Sequence, residues 1–106
     1  MTKLTFEQKV KNKLGLHARP AAVLVKATSA FKSEILIRKN DMEVNAKSIL
    51  GVMMLAAECG ASLMISVSGE DAQDAEDALS TVISLFENSF GEDDAQLEEQ
   101  PTEQQG

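Results

Sequence analysis

The chain has 106 residues, 43% of them hydrophobic and 25% charged, a length for one domain and a composition that supports a buried core, so two independent cores and a wholly disordered chain are both excluded. The net charge of −7 argues against nucleic acid as a partner, but it is unevenly spread: residues 1–69 hold all ten basic and five acidic side chains, a net +5, and residues 70–106 hold twelve acids and no base. No apolar stretch approaches the roughly 20 residues that cross a bilayer, the start lacks the layout of a secretory signal, and one cysteine with one histidine makes neither an internal disulfide nor a zinc site, so a cytoplasmic protein without membrane insertion is expected.

Leu4, Phe6, Gln8 and Val10 alternate with Thr5, Glu7 and Lys9, the period-two pattern of a half-buried strand running to about residue 10. Asn12 and Gly15 then supply turn chemistry. From His17 onward Ala18, Ala21, Ala22, Val25 and Ala30 or Phe31 recur at helical spacing, and Pro20 suits the first turn, where its missing N–H costs nothing. Ile35 and Ile37 against Leu36 and Arg38, the turn Lys39-Asn40-Asp41, and then Met42, Val44 and Ala46 read as a β-hairpin. Ser48 is a favoured N-cap ahead of Ile49, Leu50, Val52, Met53 and Leu55, which predicts a short second helix fading by Gly60 as its C′ residue. Cys59, near the end of that helix, is expected to be a small buried apolar residue.

Leu63, Ile65 and Val67 alternate with Met64, Ser66 and Ser68 as a fourth strand closed by Gly69. Ala75, Ala78, Leu79, Val82, Ile83 and Phe86 trace the apolar stripe of a third helix ending near Phe90 and Gly91, with Glu70, Asp71 and Asp74 at the positive end of its dipole. The order β-α-β-β-α-β-α predicts an α+β two-layer open-faced sandwich over residues 1–90, a four-stranded antiparallel sheet covered on one face by three helices. Residues 91–106 have almost no apolar side chains and are expected to be a solvated acidic tail.

Gly15-Leu16-His17-Ala18-Arg19-Pro20-Ala21 carries the chemistry. It sets the one histidine at a strand-to-helix junction, where unpaired backbone N–H groups and the helix dipole attract anions such as phosphate. An imidazole with its ordinary pKa of about 6.5 is largely neutral at physiological pH and is a competent nucleophile toward phosphorus. Arg19 and the amides of Ala18 and Arg19 are placed to offset charge on phosphoryl oxygens. Three readings fit these residues alone: a histidine that only caps or decorates a helix start, a site that holds a phosphoryl group, and an enzyme that hydrolyses acyl phosphates with the arginine and helix N-terminus.

The segment resembles the phosphohistidine motif of the HPr family, small phosphocarriers of the bacterial phosphoenolpyruvate-dependent phosphotransferase system. A second segment, Asn45-Ala46-Lys47-Ser48-Ile49-Leu50-Gly51-Val52-Met53, resembles the regulatory serine motif of the same family, at the right separation. The resemblance covers about residues 1–90. It implies that His17 accepts a phosphoryl group from phosphorylated enzyme I and passes it to a IIA component, with Arg19 assisting. It makes the chain a protein substrate of a relay rather than an enzyme, with no metal or organic cofactor. Ser48 carries over as the target of an HPr kinase/phosphorylase, and regulation centred on Ser48 is a further rival to the carrier reading.

The short second helix cannot bury all of Ile49, Leu50, Met53 and Met54, so part of this set is expected to dock partners beside His17, with Leu50 and Met53 exposed. Leu16, next to the histidine, is placed on the same partner surface as Ile49, Leu50 and Met53. The +5 front of the chain, including Lys26 and Lys47, favours acidic partner surfaces. A monomer is expected. The segments Asn12-Lys13-Leu14, Met53-Met54-Leu55-Ala56-Ala57 and Phe86 to Asp93 resemble the nitrogen-related branch as much as the sugar branch, which leaves that choice open.

Overall fold

A computed structural model describes residues 1–92. The chain runs through β1 (Thr2–Lys9), α1 (Ala18–Thr28), β2 (Glu34–Lys39), β3 (Met42–Asn45), α2 (Ile49–Met54), β4 (Ser62–Gly69) and α3 (Ala72–Glu87), and closes with a 3₁₀ turn, Ser89–Gly91. The four strands form one sheet in the order β1-β4-β2-β3, and every neighbouring pair is antiparallel. In the register, Ile65 faces both Phe6 and Ile37, and Val67 faces both Leu4 and Ile35.

One face of this sheet supplies Ile35, Ile37, Leu63, Ile65 and Val67 to the core, all fully buried against Leu24, Val52, Val82 and Phe86 of the helices. The intervening Arg38, Met64, Ser66 and Ser68 lie on the other face, exposed or half-buried, as expected of an antiparallel sheet with one wet side. The alternation in β1 is correctly phased, but β1 is an edge strand and Phe6 keeps 42% of its surface exposed.

Two sequence expectations shift in the helices. α1 buries Pro20, Ala21, Leu24 and Thr28, whereas Ala18 and Ala22 face water; the alanine spacing pointed to a face slightly rotated from the true one. Thr28 is tolerated inside because its hydroxyl donates to the Ala46 carbonyl at 2.8 Å. α2 ends at Met54 rather than near Gly60. Ala56, with φ 49°, turns the chain out of the helix, and Lys39 Nζ donates to the terminal carbonyls of Leu55 at 3.3 Å and Ala56 at 3.0 Å. Gly60, with φ 90°, serves instead the turn into β4, donating its N–H to Val10 O at 2.8 Å.

Cys59 is exposed, contrary to the expectation of burial, because it lies beyond the shortened helix. Its Sγ is 3.7 Å from the Lys11 carbonyl oxygen.

α3 starts as its sequence implies. The Asp71 carboxylate accepts the N–H groups of Gln73 at 3.0 Å and Asp74 at 3.2 Å, a cap worth about 1 kcal/mol. Asp74 ties the helix to the entry of β2, its Oδ1 accepting the Ser33 hydroxyl at 2.6 Å and the Ser33 N–H at 2.9 Å. The Ser33 hydroxyl bond, foremost, holds the Asp74 carboxyl below its ordinary 3.8. A carboxyl depressed in the folded state stabilises the fold above its unfolded value and ceases to do so as pH falls through its folded value. Thermal melts of wild type and Asp74→Asn between pH 7 and pH 2 should therefore show a deficit in the variant that is present at neutrality and shrinks below pH 4. A constant gap across that range would assign the effect to something other than this carboxylate.

Candidate functional site

The segment leading to the histidine is fixed by two close approaches of backbone. Asn12 Nδ2 donates to Gly15 O at 2.6 Å, and the Gly15 N–H returns to Asn12 O at 3.1 Å. Gly15 has φ 72°, and any Cβ there would collide with the Ala57 carbonyl oxygen, so glycine is required on both counts. The next residue, Leu16, donates its N–H to that same Ala57 oxygen at 2.9 Å. This tether draws the Leu16 side chain into the core at 4% exposure, which removes it from the expected partner surface. Leu14, two residues earlier and 59% exposed, is the outward apolar side chain of this turn; its position among polar turn residues was the signal.

His17 follows as the N-cap of α1, with extended backbone and no side-chain capping bond. Its imidazole is therefore not consumed by the helix, and 37% of the side chain stays open. Ala18 and Arg19 occupy the first two helical positions, whose N–H groups have no acceptor within the helix. Pro20 at the third loses nothing by lacking one.

The far end of the chain completes the site. After α3, Ser89 (φ 52°), Phe90 (φ 56°) and Gly91 (φ 78°) turn successively left-handed. The Phe90 ring is buried edge-to-face on Phe86, with centroids 4.8 Å apart. This turn aims the Phe90 carbonyl at Arg19, whose Nη1 donates to it at 3.1 Å. It also brings in Glu92, whose Oε2 lies 2.8 Å from His17 Nε2 and 3.4 Å from Arg19 Nη1, while Oε1 accepts from Asn12 Nδ2 at 3.0 Å. The Glu92 side chain is only 3% exposed.

Glu92, which composition assigns to the solvated tail, and Asn12, which local pattern assigns to a turn alone, both line the candidate site. The rest of the expected tail, residues 93–106, lies outside the described residues.

Ser48 is the N-cap of α2, its Oγ accepting the Gly51 N–H at 3.0 Å. Behind it Ile49, Leu50, Met53 and Met54 keep 45, 70, 40 and 59% of their surfaces exposed, and only Val52 of this helix is buried. The four form an apolar face on a helix that packs beside α1. Lys47 donates through Nζ to Phe31 O at 2.6 Å, and Lys26 is exposed in the last turn of α1. Among the described residues no helix is long and apolar enough to cross a membrane.

The family model described as "PTS HPr component phosphorylation site" matches residues 4–84. A phosphocarrier protein HPr of Xylella fastidiosa (strain Temecula1) is 50% identical over 90 residues, which cover 85% of this chain and 98% of the relative. That of Treponema pallidum is 47% identical over 85 residues, 80% of this chain and 93% of the relative. Among solved structures, HPr-C-His from Thermoanaerobacter tengcongensis aligns with a TM-score of 0.76 at 42% identity, covering 88% of this chain and 99% of that one.

Proposed function

The chain belongs to the HPr family, the phosphocarriers of the phosphotransferase system, and on that premise we propose that His17 accepts a phosphoryl group from phosphorylated enzyme I and hands it to a IIA component in the cytoplasm. One observation carries this reading: the imidazole stands at the start of α1, makes no capping bond, and lies in the segment matched by the phosphorylation-site model. A phosphoryl group there meets the N–H groups of Ala18 and Arg19 and the positive end of an eleven-residue helix. Arg19, 53% exposed in its side chain, adds a charged donor that can follow the phosphoryl oxygens. The protein acts as a monomeric substrate of the relay and needs no metal or cofactor of its own, since the donor and acceptor are proteins.

The exposed face of Ile49, Leu50 and Met53, extended by Met54 on the same helix, is the docking surface for both partners in this reading. Flexible methionines suit a surface that must receive two different proteins in turn.

A second reading is layered on the first. The half-buried Ser48 caps α2 at the edge of that apolar face, so phosphorylation by an HPr kinase/phosphorylase would add roughly −1.5 to −2 charges where partners dock. Regulation of this kind changes partner binding while leaving His17 chemically intact.

Incubating the protein with phosphoenolpyruvate, magnesium and enzyme I tests the carrier reading. The expected product by intact mass is a single added phosphoryl group, lost in acid, as an N–P bond requires. A folded protein that takes up no label from an enzyme I active on a known HPr would overturn it.

A further inference from the structure

We propose that Glu92 is a positioning residue for His17: its carboxylate holds the ring in the Nε2–H tautomer, leaves the Nδ1 lone pair as the nucleophile, and offsets the positive charge the ring gains as it bonds to phosphorus. This rests on His17 being the phosphoryl acceptor and names a group that serves it from the opposite end of the chain.

A carboxylate with 3% of its side chain exposed is costly to bury unless donors surround it. Glu92 has three: His17 Nε2 at 2.8 Å, Asn12 Nδ2 at 3.0 Å and Arg19 Nη1 at 3.4 Å. Asn12 is itself fully buried, and its amide is bound on the other side by the Gly15 carbonyl. Both neighbours of Nδ2 are oxygens, so the amide can point only one way. The arrangement is held from behind by the Phe86–Phe90 pair and by the left-handed residues that fold Glu92 back onto α1.

A carboxylate can only accept, so the nitrogen 2.8 Å away must carry the proton. In a neutral imidazole the other nitrogen then bears the lone pair. The relation is that of the carboxylate in a hydrolase triad, which fixes the tautomer and stabilises the imidazolium without taking its proton. In the transfer, Nδ1 uses its lone pair to form the new N–P bond. The bond from phosphorus to the donor breaks and its electron pair leaves with the donor. The Nε2 proton stays on the ring, shared with Glu92, so nothing else has to be supplied.

The test uses the full chain with Glu92→Ala and Glu92→Gln. Nitrogen-15 spectra of the His17 ring at alkaline pH should show a protonated Nε2 and an unprotonated Nδ1 in the wild type, and shifts averaged over both tautomers in Glu92→Ala. Phosphoryl uptake from phosphoenolpyruvate and enzyme I should slow about ten- to a hundredfold in Glu92→Ala, the size of loss seen when the carboxylate that orients a metal-bound histidine is removed. Glu92→Gln, whose amide oxygen still accepts from Nε2–H, should keep the wild-type tautomer and recover part of the rate.

Averaged tautomers in the wild type, or uptake by Glu92→Ala as fast as or faster than wild type, would overturn the proposal; faster uptake would make the carboxylate an obstacle instead. A wild type that takes up no label would overturn the acceptor reading itself. The ring spectra need no donor and separate that failure from a failure of the pairing.

Discussion

His17→Ala is expected to take up no phosphoryl group from enzyme I and phosphoenolpyruvate, while remaining folded. Complete loss is expected because the acceptor atom itself is gone, and no donor group around the site can replace a nucleophilic nitrogen. The fold should tolerate the change because the imidazole makes no helix-capping bond. Among the described residues its side-chain hydrogen bond is to Glu92, and Asn12 and Arg19 still surround that carboxylate after truncation. The stability cost should stay at about 1–3 kcal/mol, the range for taking one hydrogen-bond partner from a buried polar group.

Intact mass measures the loss, and a thermal melt measured alongside shows whether the fold survives. Undiminished acid-labile label on a folded His17→Ala would remove the histidine from the chemistry. The same preparation separates the carrier from an acyl-phosphate hydrolase: a carrier binds one phosphoryl group per chain and stops, whereas a hydrolase releases many equivalents.

Period-two alternation placed β2 and β4 because each sends every second side chain into one core face. Local capping chemistry placed the start of α2, where Ser48 satisfies the N–H three residues on, and the acids Glu70, Asp71 and Asp74 marked the start of α3 through its dipole, although the cap that Asp71 makes there is a finding of the structure. What escaped depends on partners distant in sequence. Leu16 is drawn inward by the carbonyl of Ala57, and α2 is cut short where Lys39 caps Leu55 and Ala56; neither partner is visible in a local pattern.

Glu92 is the clearest case. A run reading Gly-Glu-Asp-Asp has the composition of a solvated tail, and the turn that buries its first acid depends on Ser89 and Phe90 adopting left-handed backbone that non-glycine residues rarely take. The histidine motif was legible because its residues are contiguous. Its carboxylate partner, 75 positions away, was not.

Phe86→Ala should be the most destabilising single truncation and should also damage the site. Phe86 has no exposed surface and is the largest fully buried side chain among the described residues. Removing such a ring costs about 3–5 kcal/mol, a large share of the roughly 5–15 kcal/mol that holds a domain together. Urea unfolding should therefore show a midpoint far below that of the wild type with an unchanged slope. Phe6→Ala, at a ring 42% exposed on an edge strand, should lose much less.

The functional consequence follows from what rests on Phe86. Its ring is one wall for Phe90, and the Phe90 turn supplies both the carbonyl bound by Arg19 and the approach of Glu92 to His17. Without that wall the left-handed turn loses the packing that offsets its strain. Glu92 should then leave His17 for part of the time even in molecules that remain folded. At a temperature where Phe86→Ala is still native by circular dichroism, its phosphoryl uptake should slow toward that of Glu92→Ala. The double variant should then be no slower than the Glu92 variant alone, because both changes act through one carboxylate. Wild-type uptake by folded Phe86→Ala would show that the ring holds up the core without holding the site.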